Sequence, residues 1–251
     1  MPKIELLELS CRDPKAQCEF YCSILGMHHF GNFTVGYDNA AEAKIRFVSV
    51  EQPYRPKSND LYWKIALAVP NIDLACQQLQ KNGVDVGAPH QFQDVGYLAH
   101  FTDPEGYTIE LIDHWFEGHR PKLPVNSDLF GCGAHFNLLT LRATEIGPIQ
   151  KLCRDIGMKP LAIQIVKGRG FTLHFFAFTS EQPPCPDLHA VENRPWLYQR
   201  PYTVLEIQHV SDLGMASQSL SDGTGYRNAL LSGLTEPIQP NGLKLGTYPS
   251  P

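Results

Sequence analysis

Glu110 is the side chain of this sequence best placed to move a proton. It lies in an apolar strand pattern directly after a turn that runs from Asp103 to Gly106. Burial raises the pKa of a carboxylate and cationic neighbours lower it, so a carboxylate in a partly apolar cavity can be tuned as a general base. His100, in the strand before the turn, is the second candidate for proton transfer.

Two cations, Lys64 and Arg46, are the candidates for holding an anionic or enolate oxygen of a substrate. Both lie in strand patterns, and Glu8, in another strand pattern, is a further candidate for binding the substrate. The alternative interpretation is that these side chains and Glu110 form a satisfied polar cluster without chemistry. The sequence leaves both interpretations open.

A second group of candidates lies later in the chain, where Glu206 occurs with His135, His174 and His209. Clusters of His and Glu are typical of zinc sites. Side chains alternate along a strand, so His209 is expected on the opposite face from Glu206. We therefore predict that the full set does not converge.

The composition limits the class of protein. The net charge is −5 and no basic stripe occurs, so we expect no nucleic acid partner. Apolar runs are too short for a membrane span, and the N-terminus lacks the pattern of a secretory signal. Seven cysteines without a Cys-x-x-Cys pair indicate reduced thiols. We expect a cytoplasmic protein with a small-molecule partner.

The chain contains three copies of one pattern, a strand, a helix and then further strands. The copies begin at Ile4, Trp63 and Phe136, and each helix ends at a glycine. The spacing from Leu67 to Gly83 equals that from Leu141 to Gly157. These repeats predict βαβββ modules.

The repeats and the composition between them predict the domain organisation. Two modules occupy 1–60 and 61–116, and the prolines and charges that follow indicate a linker over 117–130. The third module occupies 131–210. Residues 211–251, rich in Gly, Ser, Asn and Pro, are expected to form loops, with no fourth full module.

One insertion in the third module concentrates aromatic and arginine side chains. It runs from Glu192 to Tyr202. It is expected either to cover a ligand, to close an interface or to pack over the sheet edge.

Two segments resemble the glyoxalase/bleomycin-resistance/dioxygenase (vicinal oxygen chelate) superfamily. Residues 19–27 are similar to its first-helix signature, and residues 102–111 are similar to its closing hairpin. The resemblance implies an α+β fold of tandem βαβββ modules, whose curved mixed sheets pair to enclose a cavity. It also implies that residues 1–115 form one such pair.

In that family four strand residues converge on one divalent metal. The resemblance places Leu6, Arg46, Lys64 and Glu110 at these positions. Leucine has no lone pair, and two cations repel a metal ion, so only Glu110 suits a metal. We expect no cofactor in this first cavity.

The third module is similar to the N-terminal half of glyoxalase I. The resemblance makes Glu206 a ligand of a divalent metal (Zn, Ni or Fe) and makes Arg142 a substrate-binding residue, whereas the other ligand position of that half holds Leu138. Such a site would need a second module, so a homodimer that completes it is expected.

Three functions remain open from the sequence. The first is a lyase or isomerase that moves a proton on an oxygen-rich anionic substrate without the family metal. The second is a non-catalytic protein that binds or sequesters a small molecule. The third is a metal-dependent glyoxalase or dioxygenase with its site around Glu206.

Overall fold

A computed structural model describes residues 1–122, 126–210, 220–221, 223–239 and 241–249. The first module consists of β1 (Lys3–Cys11), α1 (Pro14–Ser23), β2 (His28–His29), β3 (Thr34–Gly36) and β4 (Lys44–Ser49). The carboxylate of Asp13 accepts hydrogen bonds from the first turn of α1, and Gly26 adopts a φ of 72° after the helix. The predicted start and end signals of this helix are confirmed.

The second module follows the same order. It consists of β5 (Tyr62–Val69), α2 (Ile72–Lys81), β6 (His90–Phe92), β7 (Gly96–Thr102) and β8 (Thr108–Asp113). The side chain of Asn71 accepts a hydrogen bond from Leu74 N at 3.1 Å and so caps α2. The strand predicted near 84–92 is shorter than expected: its last three residues pair continuously with β7, and Val86 forms one isolated bridge to Phe101.

The third module carries one extra helix. Its elements are β9 (His135–Ala143), α3 (Ile146–Asp155), β10 (Lys159–Val166), β11 (Phe171–Ala177), α4 (Asn193–Tyr198) and β12 (Val204–Val210). Helix α4 lies in the insertion that the sequence singled out.

The C-terminal region contributes strands as well as loops. Strands β13 (Tyr226–Ser232) and β14 (Leu245–Thr247) pair with each other, and β13 pairs with β1. The expectation of a loop-rich segment is therefore wrong for these residues, and for residues 211–219 it lies outside the described part of the chain.

The strands form two sheets whose composition differs from the expected pairing. One sheet has six strands in the order β14-β13-β1-β4-β3-β2, and the other has eight in the order β10-β11-β12-β9-β5-β8-β7-β6. The second module therefore pairs with the third, through antiparallel β5 and β9, and the expected pair of modules one and two is wrong.

The two faces of the eight-stranded sheet have different partners. Ile65, Leu67 and Val69 of β5 pack in the main core with α2 and α3, and that core also contains the inner face of the six-stranded sheet. The alternate residues Ala66 and Ala68 face a second apolar cluster on the other side. Side chains in register with this second face, including Lys64, are thus directed away from the helices.

The lengths of the helices and the state of the cysteines bear on the expectations from composition. No helix of the described residues is long and apolar enough to cross a membrane. All seven cysteines are free.

Candidate functional site

A cavity of about 290 Å³ lies on the face of the eight-stranded sheet that points away from the helices. Its walls are mostly apolar, with aliphatic side chains from both modules and four aromatic side chains. These are Val95, Leu98, Ile112, Leu138, Leu173, Trp63, Phe92, Phe171 and Tyr198. Such a volume is at the lower end of the range for ligand sites.

Helix α4 covers one side of this cavity. The Tyr198 ring lines it, and the Tyr198 hydroxyl donates a hydrogen bond to Val95 O at 2.8 Å. Leu197 and Tyr198 are buried against the sheet in the second apolar cluster. The insertion therefore packs over the sheet and forms a wall of the cavity.

The two edges of the eight-stranded sheet contact each other beside the cavity. The turn between β6 and β7 contacts the turn between β10 and β11, because the Gln93 side chain donates to Lys167 O at 3.0 Å. These strands are the opposite edges of the eight-stranded order. The sheet therefore curves around the cavity.

A buried ammonium group forms the base of the cavity. Lys64 Nζ lies 2.8 Å from Glu110 Oε1 and 3.2 Å from Glu206 Oε2. The Lys64 side chain is 2% exposed and its Nζ lies 4.7 Å from the Trp63 ring centroid. Burial lowers the pKa of Lys64, but the two carboxylates raise it by more than burial lowers it. The net shift is upward, so the ammonium group stays protonated.

Glu206 is the more easily protonated of the two carboxylates. It accepts hydrogen bonds from Lys64 and from the Thr140 hydroxyl, its partner in the β9–β12 pairing. Burial raises the pKa of Glu206, Lys64 opposes the shift, and Glu110 adds to it, so that the pKa lies above its usual range.

Glu110 is held in the charged form. Burial raises its pKa, but Lys64 and a hydrogen bond from His100 lower it more, to about 2. His100 Nε2 lies 3.0 Å from Glu110 Oε2, and the two residues are directly opposite in the β7–β8 pairing. The His100 side chain is 39% exposed and lines the cavity. Glu110 thus connects the buried cation to an accessible imidazole.

Arg46 and Glu8 do not reach this cluster. They lie in the six-stranded sheet, where the Arg46 guanidinium forms an ion pair with Glu8. Together with Leu6, Arg46 lines a separate polar cavity of about 270 Å³. The prediction that Leu6 and Arg46 converge with Lys64 and Glu110 is wrong, because the modules pair differently.

Arg142 lies outside the cavity that Lys64 lines. Its guanidinium donates hydrogen bonds to Gln208 Oε1 at 2.9 Å and to Asp60 O at 2.9 Å, and it lies 5.4 Å from the Trp63 ring centroid. Two of its three nitrogen atoms, Nε and Nη1, thus donate to protein groups. Arg142 lines a different cavity, together with residues of α3 and of the C-terminal region.

The histidines of the third module remain apart from Glu206. His174 packs near His209, with ring centroids 6.0 Å apart, and His135 packs near His114 at 5.3 Å. Glu206 contacts Lys64 instead. Within the described ranges no group of three or more His, Cys, Asp or Glu side chains is suited to a metal ion.

A comparison with protein families identifies the first part of the chain. Residues 3–111 match the family model of the glyoxalase/bleomycin resistance protein/dioxygenase superfamily. These residues belong to that superfamily. No curated protein matches the chain in sequence.

Solved structures share the fold of most of the chain. Glyoxalase I from Zea mays is similar with a TM-score of 0.65 and 15% identity, over 92% of this chain and 74% of that one. A proposed dioxygenase from Bacillus subtilis has a TM-score of 0.55 and 14% identity, over 92% of this chain and 70% of the other. At these identities the likeness establishes the fold alone.

The donor set at the superfamily's metal position does not fit a divalent cation. With modules two and three paired, the four positions hold Lys64, Glu110, Leu138 and Glu206, and all four line the cavity. Leu138 offers no donor atom, and the Lys64 ammonium contacts both carboxylates. A metal ion between these carboxylates would lie beside a positive charge. Lys64 of the second module contacts Glu206 within the same chain, and the expected homodimer stays a prediction.

The apolar and aromatic lining of the cavity was not predicted. In a strand or helix pattern an apolar residue predicts burial, whether it packs in the core or lines a cavity. The cavity's aromatic residues Trp63, Phe92, Phe171 and Tyr198 all occur in such patterns. The aromatic insertion was the one available signal, and it pointed to Tyr198 without assigning it to a cavity.

Proposed function

We propose that this chain is a small-molecule enzyme of the glyoxalase superfamily that moves a proton without the family metal. The observation that carries this proposal is the pair formed by His100 and Glu110 at the cavity wall. A carboxylate anchored on a buried cation orients an imidazole that the cavity's contents can reach, and such an arrangement is suited to general base catalysis.

The hydrogen bond to Glu110 fixes the protonation of the neutral imidazole. An ionised carboxylate only accepts hydrogen bonds, so the proton of His100 resides on Nε2. Nδ1 then carries the lone pair that accepts a proton. Because the pKa of Glu110 is lowered to about 2, this carboxylate is a weak base, and its proposed role is to orient His100.

The proposed step is abstraction of a proton from the carbon next to a substrate carbonyl. His100 Nδ1 takes the proton, the electron pair of the C–H bond moves into the carbonyl group, and an enolate oxygen forms. Lys64 has three N–H donors, and two of them serve Glu110 and Glu206. The third would stabilise the enolate oxygen. Return of the proton to another carbon gives an isomerase, and departure of a leaving group gives a lyase.

The position of Lys64 supports a metal-independent mechanism. Its ammonium supplies positive charge between two carboxylates, at the position where the superfamily places a metal. We expect the purified protein to contain far less than one equivalent of Zn, Ni or Fe by elemental analysis. A stoichiometric amount of any of these metals at this site would overturn the proposal.

Exchange of carbon-bound protons tests the catalytic role of His100. Wild type is expected to exchange the protons next to the carbonyl of aryl ketones such as phenylacetone with D2O, as measured by NMR. His100→Gln should lower this rate about 100-fold or more, the usual contribution of a general base. His28→Gln, which changes an exposed histidine in the other sheet, should leave the rate unchanged.

A second candidate function is binding or sequestration without catalysis. The mostly apolar lining and the neutralised charges at the cavity base favour it. If His100→Gln binds an apolar ligand as wild type does and no ketone exchanges faster with wild type than with the variant, proton transfer is excluded and sequestration remains.

A further inference from the structure

The cavity mouth is the part lined by the exposed side chains of His90 and Arg169. It combines aromatic rings with one exposed cation. Trp63 and Phe171 pack edge to face with ring centroids 6.1 Å apart, and Phe92 lies on the opposite side beside His90. The Arg169 guanidinium lies 5.6 Å from the Phe92 ring centroid. Arg169 is exposed, whereas Lys64 is buried, and both line the cavity.

A short turn holds Arg169 at this position. The turn joins β10 to β11, and Gly168 and Gly170 adopt φ values of 72° and 70° on either side of Arg169. Arg169 N donates to Val166 O at 3.2 Å, and Gln93 contacts the same turn through Lys167 O. Residues with a side chain rarely adopt these positive φ values, so the two glycines permit the turn that aims Arg169.

The charge environment of Arg169 differs from that of the other cations near the cavity. Lys64 contacts two carboxylates, and Arg194 forms an ion pair with Asp94. Within the described part of the chain, no acidic side chain lies within ion-pair distance of the Arg169 guanidinium, which packs against the Phe92 ring. An arginine that lines an apolar cavity without a carboxylate partner has its donors available to a ligand.

We propose that Arg169 binds the anionic end of an aromatic ligand whose ring lies in the apolar cavity. The preferred ligand class is an aromatic carboxylate, or a sulfonate of the same shape, with its charge at the cavity mouth and its uncharged body against Trp63, Phe92 and Phe171. This inference rests on the proposed function, because it assumes that the cavity holds a ligand. The anionic group of the proposed ligand lies at Arg169 and not at Lys64, because Glu110 and Glu206 already neutralise the Lys64 charge.

Two fluorescent probes of nearly the same shape test the inference. 1-Anilinonaphthalene-8-sulfonate carries an anionic group, and N-phenyl-1-naphthylamine lacks it. Both become fluorescent in apolar sites, so titration gives a dissociation constant for each. For the sulfonate probe, Arg169→Gln is expected to weaken binding about threefold to fivefold, near the upper end of the effect of one accessible ion pair. Binding of the neutral probe should not change.

Lys167→Gln is the matched control. It removes one positive charge from the same turn, but Lys167 does not line the cavity, so both dissociation constants should stay as in wild type. Raising the salt concentration should weaken binding of the sulfonate probe to wild type more than to Arg169→Gln, because salt screens an accessible ion pair.

The outcomes separate this inference from the function on which it rests. If the neutral probe binds wild type and the sulfonate probe gains nothing from Arg169, the anion site is excluded while the ligand cavity stands. If Lys167→Gln weakens the sulfonate probe as much as Arg169→Gln does, the effect is general charge and the site is also excluded. If neither probe binds wild type, both this inference and the ligand cavity of the proposed function fail.

Discussion

The two sheets of this protein contain the same type of module, but their ion pairs differ in how far they are buried. In the eight-stranded sheet, Lys64 and Glu110 are buried, with Glu206 as a third member of the cluster. In the first module, which lies in the six-stranded sheet, Leu6 corresponds to Lys64 and Arg46 corresponds to Glu110. The Arg46 side chain is 30% exposed in its ion pair with Glu8.

The difference follows from what each module packs against. The second module pairs with a complete third module, and α4 covers the cavity between them. In the described residues, the first module pairs with two strands from the C-terminal region. Water therefore reaches one ion pair and is kept from the other, and charge interactions weaken where water is present. The individual residues thus decide where the charges lie, and burial by the partner module decides how strongly they interact.

The largest effect is expected from Lys64→Met. This change leaves Glu110 and Glu206 buried together without a cation, and breaking such a buried pair lowers the free energy of unfolding by about 3–5 kcal/mol. Urea unfolding at neutral pH measures it. A loss below about 1 kcal/mol would show that water compensates the carboxylates, and the contrast between the sheets would then be wrong.

A smaller and pH-dependent effect is expected from Glu110→Gln. At neutral pH it removes charged hydrogen bonds to Lys64 and His100 and lowers the free energy of unfolding by about 1.5–3 kcal/mol. The pKa of Glu110 is lowered from its usual 4.5 to about 2, so its contribution is present above pH 4.5 and is lost as the pH falls towards 2. The difference between wild type and variant in urea unfolding should therefore shrink across this window. A constant difference would contradict the ion-pair origin of the effect.

The smallest effect is expected from Arg46→Met in the other sheet. Because the pair with Glu8 is accessible to water, we expect a loss of about 1 kcal/mol or less in the free energy of unfolding, reduced further by salt. Proton exchange on aryl ketones and binding of both fluorescent probes should match wild type. A loss as large as that of Lys64→Met, or a change in exchange rate, would make the two sheets equivalent.

Much of the fold was predictable because its signals are local. The N-cap residues Asp13 and Asn71 and the glycines after each helix are read directly from short stretches of sequence, and the structure confirms them. Strands β13 and β14 were missed, because their segment is rich in turn residues and they are stabilised by pairing with β1 and with each other.

The site was predictable only in part. Glu110, Lys64 and His100 were singled out together, and the structure brings them into one cluster. Arg46 was assigned to the same cluster, and Glu206 to a separate one. Both errors have one cause, since the choice of partner for β5 decides which side chains lie across from Lys64.

The sequence by itself determined the module, the positions of the acidic and basic side chains within it, and the absence of suitable donors at Leu6 and Leu138. Strand alternation and cap residues act over a few positions, so these properties do not depend on distant parts of the chain. Only the tertiary structure decided that β5 lies beside β9, that Lys64 lies between Glu110 and Glu206, and that Arg169 faces the cavity mouth. Those contacts join residues far apart in sequence, and they depend on the complementarity of whole strands and on burial.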